Sequence, residues 1–328
     1  MKGWRCATPT GVNDLQWAEL PVPKPGRGEV RVAVGAASLN FPDLLIVEGK
    51  YQARPPLPFV PGAEFAGVID ALGEGAIGWE VGERVMTVGT HGGFAAHACV
   101  PTARLKRCPA GMPIEAAAAF LMIYGTAHHA LIDRGTIRAG ETVLVLGAAG
   151  GVGTAAIQIA KAAGARVIAG VSTDNKAELC RRIGADAAIN YSTSDLREAI
   201  KACTDGRGPD VIFDPVGGDL SEPAFRSLGW RGRHLVIGFA GGRIPSVPYN
   251  LALLKGTSVV GVFWGEFDRR EPAASASAVA QLAEWYARKL IDPVIDRVLP
   301  MNELKDAAAR MTARAALGKI VLANTTIG

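Results

Sequence analysis

Ala148, Gly150 and Gly153 stand at the spacing of a G-x-G-x-x-G turn whose first glycine is replaced by alanine, in the run Gly147-Ala148-Ala149-Gly150-Gly151-Val152-Gly153. Such a turn binds phosphate with its backbone. A glycine at 150 lets the main chain approach a pyrophosphate, and one at 153 lets the next helix lie close on the strand. The helix N-terminus then offers N–H groups and a positive dipole end. Gly151 and Val152 complete the turn. The motif also needs its context: Val143-Leu144-Val145-Leu146 reads as a buried parallel strand, and Thr154 to Lys161 as a packed helix. Dinucleotide binding follows.

The second strand carries the cofactor choice. An NAD site usually places Asp or Glu there, roughly 20 residues past the glycine turn. Here Val171-Ser172-Thr173 occupies that place, with Ser172 19 residues after Gly153. A carboxylate would repel a 2′-phosphate, whereas a hydroxyl donates to it. Lys176 lies one helical turn later and can pair with the same phosphate, although Asp174 beside it adds an opposing charge. The expected cofactor is NADPH.

Metal and nucleophile chemistry find less support. The five cysteines lie far apart with no C-x-x-C pair, so free thiols are expected instead of a zinc site or a disulfide framework. His91, His97, His128, His129 and His234 have no second ligand at useful spacing. No Ser/His/Asp constellation suggests a covalent nucleophile. Asn40, a polar amide after the apolar run Val32–Leu39, needs a partner if it is buried.

The elements that position these residues divide the chain in two. A length of 328 residues exceeds one comfortable core. Up to about residue 120 the pattern is β-rich, with strands expected over Glu29–Leu39, Phe65–Leu72, Arg84–Val88 and Phe94–Val100. From Pro113 it turns helical, then strands alternate with helices: Thr142–Leu146, Arg166–Val171, Ala187–Ile189, Asp210–Asp214, His234–Gly238 and Ser258–Phe263. That alternation predicts a doubly wound parallel sheet of about six strands. One long helix is expected over Glu271–Lys289, then a short strand near Val294–Leu299, a helix from Asn302 and a last strand, Lys319–Ala323, returning to the first domain.

A net charge of +4 is small for this length, so nucleic acid is not an expected partner. The first nine residues contain no apolar h-region, and the longest apolar stretch, Ala116 to Ala127, is too short to span a bilayer. A cytoplasmic protein without membrane contact is expected.

With the glycine turn in mid-chain, the sequence resembles the medium-chain dehydrogenase/reductase superfamily, and within it the zinc-independent, zeta-crystallin-like quinone oxidoreductases. Four blocks carry the resemblance: Ser38-Leu39-Asn40-Phe41-Pro42-Asp43, Pro61-Gly62-Ala63-Glu64-Phe65-Ala66-Gly67, Tyr124-Gly125-Thr126-Ala127 and Gly147–Gly153. The resemblance implies an α/β protein, a GroES-like β-rich catalytic domain with an inserted Rossmann domain and the active site in the cleft between them. The boundaries expected are 1–121, 122–265 and 266–328. In zinc-dependent relatives a Cys-x-x-Asp and a Gly-His-Glu supply ligands; here the matching residues are Asn40-x-x-Asp43 and Gly62-Ala63-Glu64, so thiolate and imidazole are both missing.

By the same resemblance Tyr191 joins Ser172 and Lys176 in gripping NADPH. Asn40, Thr126, Gly238, Phe263, Trp264 and the Leu317-Gly318-Lys319 turn surround the nicotinamide. Asn40 would face the reacting centre and donate to a carbonyl, and Tyr51 aligns with an active-site tyrosine that could donate or protonate. Core packing is the competing account of Phe263 and Trp264, and a surface loop that of Tyr51. The activity implied is zinc-independent, NADPH-dependent reduction of a quinone or conjugated carbonyl by a homodimer paired through the strand from Ser258. The alternatives are an enoyl thioester (acyl-CoA) or 2-alkenal reductase, and an NADPH-binding crystallin-like or RNA-binding protein with little turnover.

Overall fold

The computed structural model describes residues 1–324. The described chain forms two compact units: Met1–Met122 together with residues 295–324, and Ile123–Val294.

The first unit is built on a mixed seven-stranded sheet. Its long strand Glu29–Leu39 is flanked by Glu64–Leu72 and Lys319–Ala323, both antiparallel to it, and its first half also pairs with His97–Pro101. Alternating Val30, Val32 and Val34 enter an apolar core with Trp4, Phe59, Phe65, Ile69 and Ile320, as the period of two requires. The pairing register determines where the polar residues meet. Ile320 lies opposite Leu39 and Glu64 opposite Ser38, so the far end of the chain and residue 64 converge on the end of one strand. A short helix, Phe41–Val47, begins there.

The second unit carries six parallel strands in the order 187–190, 166–171, 142–146, 211–214, 233–236, 258–261. This is the doubly wound parallel sheet of six strands expected from the sequence, and the structure supplies its order. Thr142–Leu146 and Val211–Asp214 are neighbours where the order reverses, and ligands in such sheets bind beyond the carboxyl ends of the strands at that place. Leu144, Leu146, Ile168, Ile200, Ile212 and Phe225 form its core.

Several boundaries differ from the sequence reading. Chain return to the first unit falls at Ile295, not at residue 266. Residues 266–294 stay with the nucleotide-fold unit because their side chains are tied to it: Phe267 stacks on His129 at 4.1 Å between ring centroids, and Gln281 Oε1 lies 2.6 Å from His128 Nε2. The long helix expected over Glu271–Lys289 is present as Pro272–Ala287, and a short helix that the sequence reading lacks, Trp264–Arg270, precedes it. Proline at 272 cannot donate its nitrogen and pushes Glu271 out of the helical region, to φ −126° and ψ 56°. Strand 233–236 stops short of Gly238, and strand 258–261 short of Phe263. No helix among the described residues is long and apolar enough to cross a membrane.

Candidate active site

In the first unit, Ser38, Asn40, Asp43, Glu64 and Lys319 are all buried and meet at the strand end described above. Glu64 Oε2 accepts from Ser38 Oγ at 2.5 Å, Asn40 Nδ2 at 3.0 Å and Lys319 Nζ at 3.3 Å, while its Oε1 accepts from the Met122 backbone N–H at 2.7 Å. Lys319 Nζ donates also to Asn40 Oδ1 at 2.6 Å and to the Leu39 carbonyl at 3.2 Å. Asp43 staples two segments, since its carboxylate accepts from the backbone N–H of Asn40 and of Ala63, each at 2.8 Å. The network is closed: each donor of the ammonium and of the Asn40 amide has an acceptor, as a buried polar cluster requires.

This arrangement corrects two expectations. Asn40 was to aim its amide at a carbonyl acceptor; its N–H groups are instead directed at Glu64 and Ser38. Lys319 was placed among the cofactor contacts, yet its ammonium lies inside the cluster. Gly318 before it takes φ +104°, a conformation that only glycine adopts readily and that feeds the lysine into its strand.

Burial shifts the titrations. It pushes the Asp43 carboxyl up to about 7, against the two backbone N–H groups and the Lys319 charge. It lowers Lys319, against the pull of Glu64 and Asp43. Tyr51 is half-buried against the same core, and burial followed by the Asp43 charge raises its phenol, so it stays a neutral donor.

In the second unit the glycine turn joins strand Thr142–Leu146 to helix Gly151–Ala162. A Cβ at 153 would lie 2.5 Å from the Gly147 carbonyl oxygen and 2.7 Å from Ala148 Cα, so helix and turn touch there. At 150 the nearest atom would be 3.4 Å away, an ordinary contact. Gly153 is therefore demanded by packing, whereas Gly150 keeps its open face for something else. Ala148 is buried, with its N–H bonded to the Gly170 carbonyl, and can stand where the motif has glycine. Gly151, Val152 and Gly153 form the first helical turn, whose N–H groups lack intrahelical acceptors.

Lys176 Nζ lies 3.1 Å from Ser172 Oγ, so the two side chains meet. Thr173 caps the helix Asp174–Arg182 between them. Asp174 accepts from Asn190 Nδ2 at 2.8 Å, which gives its carboxylate a partner other than Lys176. Tyr191 follows strand 187–190, bonds its backbone N–H to Val171 and packs its ring on the core. Gly238 sits just past strand 233–236.

Phe263 and Trp264 part company. Phe263 is 53% exposed, whereas Trp264 is 7% exposed and lies against Gly125, where a Cβ would come within 2.5 Å of its indole. Core packing accounts for Trp264. Thr126 is half-buried on the same helix as Gly125, Leu121–His128.

Residues 26–110 match the alcohol dehydrogenase GroES-like domain, and residues 151–284 match the family described as zinc-binding dehydrogenase. The chain is 37% identical over 321 residues to quinone oxidoreductase-like protein 2 of Rattus norvegicus, covering 97% of this chain and 92% of that one. The chain belongs to the zinc-independent quinone oxidoreductase family. Among solved members, the Escherichia coli quinone oxidoreductase complexed with NADPH superposes with a TM-score of 0.92 at 28% identity, covering 98% of this chain and 100% of that one. The Thermus thermophilus quinone oxidoreductase, solved alone and with NADPH, gives 0.87 at 34% identity over 98% and 100%.

Within this family fold, the sequence reading missed one group altogether. Ser221, Asp214 and His234 meet, buried, in the second unit, although no such constellation was expected. Ser221 Oγ at 2.5 Å and His234 Nε2 at 3.0 Å both approach Asp214 Oδ2. The carboxylate is central, so the imidazole does not reach the serine proton and no nucleophile results. An acidic residue ending the apolar strand Val211–Asp214 was the available signal, since a buried charge demands partners.

Proposed function

We propose that this chain is a metal-independent reductase carrying hydride from NADPH to a quinone or a similar conjugated carbonyl. The observation that carries the cofactor choice is the Ser172–Lys176 pair at 3.1 Å, placed at the end of the second strand where an NAD site would hold a carboxylate. Hydroxyl and ammonium grip the 2′-phosphate. The open face of Gly150 and the first-turn N–H groups of Gly151, Val152 and Gly153 take the pyrophosphate. NADPH, when bound, supplies the hydride and a nicotinamide ring, beside which family position puts Thr126, Gly238 and Phe263.

Tyr51 donates to the acceptor oxygen as negative charge develops there. Asn40 and Lys319 hold the chain around it without touching the acceptor. Lys319 also supports metal independence. Its ammonium, 2.6 Å from Asn40 Oδ1 and 3.3 Å from Glu64 Oε2, is a fixed positive charge on the atoms that a cation would need. An amide and an ammonium are poor company for Zn²⁺, which favours thiolate and imidazole.

The active species is a homodimer. Strand Ser258–Gly261 ends the parallel sheet, and pairing two such edges about a two-fold axis would use their open backbone groups. Just before it in the chain, helix Tyr249–Lys255 has no buried residue, with Tyr249 86% and Leu253 82% exposed.

The test follows NADPH and NADH oxidation with 1,4-benzoquinone, 9,10-phenanthrenequinone and crotonyl-CoA offered separately, with a chelator present. Quinone turnover with NADPH, unchanged by chelator, is expected. Turnover of the thioester alone would assign the chain to enoyl reduction. Tight NADPH binding without turnover of any acceptor would favour a binding protein.

A further inference from the structure

Asp214 is the most heavily used carboxylate in the second unit's sheet. Its Oδ1 accepts from the backbone N–H of Val216 and of Gly217, each at 2.9 Å. Its Oδ2 accepts from Ser221 and His234 as described, and its own carbonyl accepts from Ile237 at 2.9 Å and Gly238 at 3.4 Å. One residue therefore anchors two segments, 215–218 through its carboxylate and 237–243 through its main-chain carbonyl.

Those segments are also joined to each other. Ala240 donates to Pro215 at 3.1 Å, Gly241 to Val216 at 2.7 Å and Gly218 to Arg243 at 2.9 Å. The first segment leans on the glycine turn, since Val216 Cγ2 lies 2.8 Å from where a Gly147 Cβ would be. Gly217 and Gly218 both hold positive φ, 68° and 61°, and Val216 packs on the unit's core, so the segment's shape rests on one apolar contact and on its tethers. All of this stands at the carboxyl ends of strands 142–146, 211–214 and 233–236, beside the reversal of strand order.

We propose that Asp214 is a positioning residue for the dinucleotide site, holding segments 215–218 and 237–243 against the glycine turn so that they form a fixed rim beside the bound nucleotide. The proposal rests on the cofactor reading above and adds to it a residue that touches no ligand. The donors divide into two kinds. Backbone N–H groups of Val216 and Gly217 can only donate, whereas Ser221 and a neutral His234 can also accept. An asparagine amide could therefore keep its oxygen on the two N–H groups and turn its NH₂ to the side chains. Alanine can do neither.

The experiment compares wild type, Asp214→Ala and Asp214→Asn by titration with NADPH and with NADH and by backbone hydrogen exchange of the cofactor-free proteins. Leu196→Ala, a core truncation in helix Leu196–Cys203 of the same unit, serves as a control for lost stability. Asp214→Ala is expected to weaken NADPH binding at least tenfold and to speed exchange in 215–218, with a smaller rise in 237–243 passed through the bonds that join the segments, because the residue 214 carbonyl still holds Ile237 and Gly238; strand 142–146 stays protected. Asp214→Asn should restore affinity to within about threefold of wild type, and Leu196→Ala should lower Tm with affinity unchanged. If Asp214→Ala does not fold, Asp214→Leu carries the same comparison, since its side chain has a similar shape and accepts no hydrogen bond. A folded variant with unchanged exchange in 215–218, or with affinity within twofold of wild type, overturns the proposal. Wild type binding neither nucleotide would instead sink the cofactor reading, and the exchange comparison would still decide whether Asp214 holds the segments.

Discussion

Lys319 Nζ lies 2.6 Å from Asn40 Oδ1, between residues 279 positions apart in the chain. The last strand thus delivers a cation to the end of the strand before Asn40, and Glu64 balances its charge. Removing one partner of a buried ion pair leaves the other uncompensated, at a cost of roughly 3–5 kcal/mol. Lys319→Met and Glu64→Gln should each show a loss of that order in urea unfolding. The double variant should lose less than the sum, because it buries no unpaired charge. Additive losses would mean that the two groups are not coupled.

Asp43 makes stability depend on pH. Its carboxyl is raised to about 7 in the folded chain, against 3.8 as the ordinary value. Between these values the folded state holds a proton that the unfolded state releases. The contribution is fully present below about pH 4 and is lost as pH rises through about 7. Asp43→Asn should remove a slope of up to ~1.4 kcal/mol per pH unit across that window, read as the difference between the two proteins' unfolding free energies.

Gly150 and Gly153 should separate under substitution. Gly153→Ala forces a methyl to 2.5 Å from the Gly147 oxygen and should lower Tm by several degrees. Gly150→Ala finds an ordinary 3.4 Å contact and a backbone at φ −79°, ψ 168° that alanine accepts, so Tm should hold. Its methyl would nevertheless stand on the phosphate side of the turn, and NADPH affinity should drop at least tenfold by fluorescence titration. Equal effects at the two positions would contradict this division.

Cofactor preference should follow the hydroxyl–ammonium pair. Hydrogen bonds to charged groups contribute about 1.5–3 kcal/mol, so Lys176→Met should cost NADPH roughly tenfold or more in kcat/KM while leaving NADH nearly unaffected. Ser172→Asp should reverse the preference. An equal loss for both nucleotides would show that neither residue reads the 2′-phosphate.

Val259 on the edge strand is half-exposed, as is little else of that β-branched kind in the unit's parallel sheet. Val259→Lys with Leu253→Lys should convert the proposed dimer into a monomer by sedimentation velocity, with Tm changed little. A wild-type monomer at micromolar concentration would end the proposal.

What could be read from the sequence was local. The glycine turn, the strands on either side and the pair Ser172–Lys176 lie within a few turns of one another, where spacing speaks directly. The Asn40 cluster was not legible, because its members are brought together by strand register: Glu64 is 24 residues from Asn40, and Lys319 is 279. Asn40 was rightly marked as needing a partner, but its partners proved to be the chain's own. Residues 266–294 were assigned to the wrong unit because the amphipathic pattern of a helix does not say which core it covers. Only contacts such as His129 on Phe267 decide that.

Gln158 gives the nucleotide-fold unit a property of its own. It accepts from Tyr124 Oη at 2.6 Å and from the Asp292 N–H at 2.8 Å, and donates to the Asp292 carbonyl at 3.0 Å. Tyr124 stands just after the chain enters this unit and Asp292 just before it leaves, so a single side chain draws entrance and exit together. A module whose ends are held side by side can be grafted into a surface loop of another protein without stretching its host. In this respect residues 123–294 are a portable cassette, with Gln158 as the clasp.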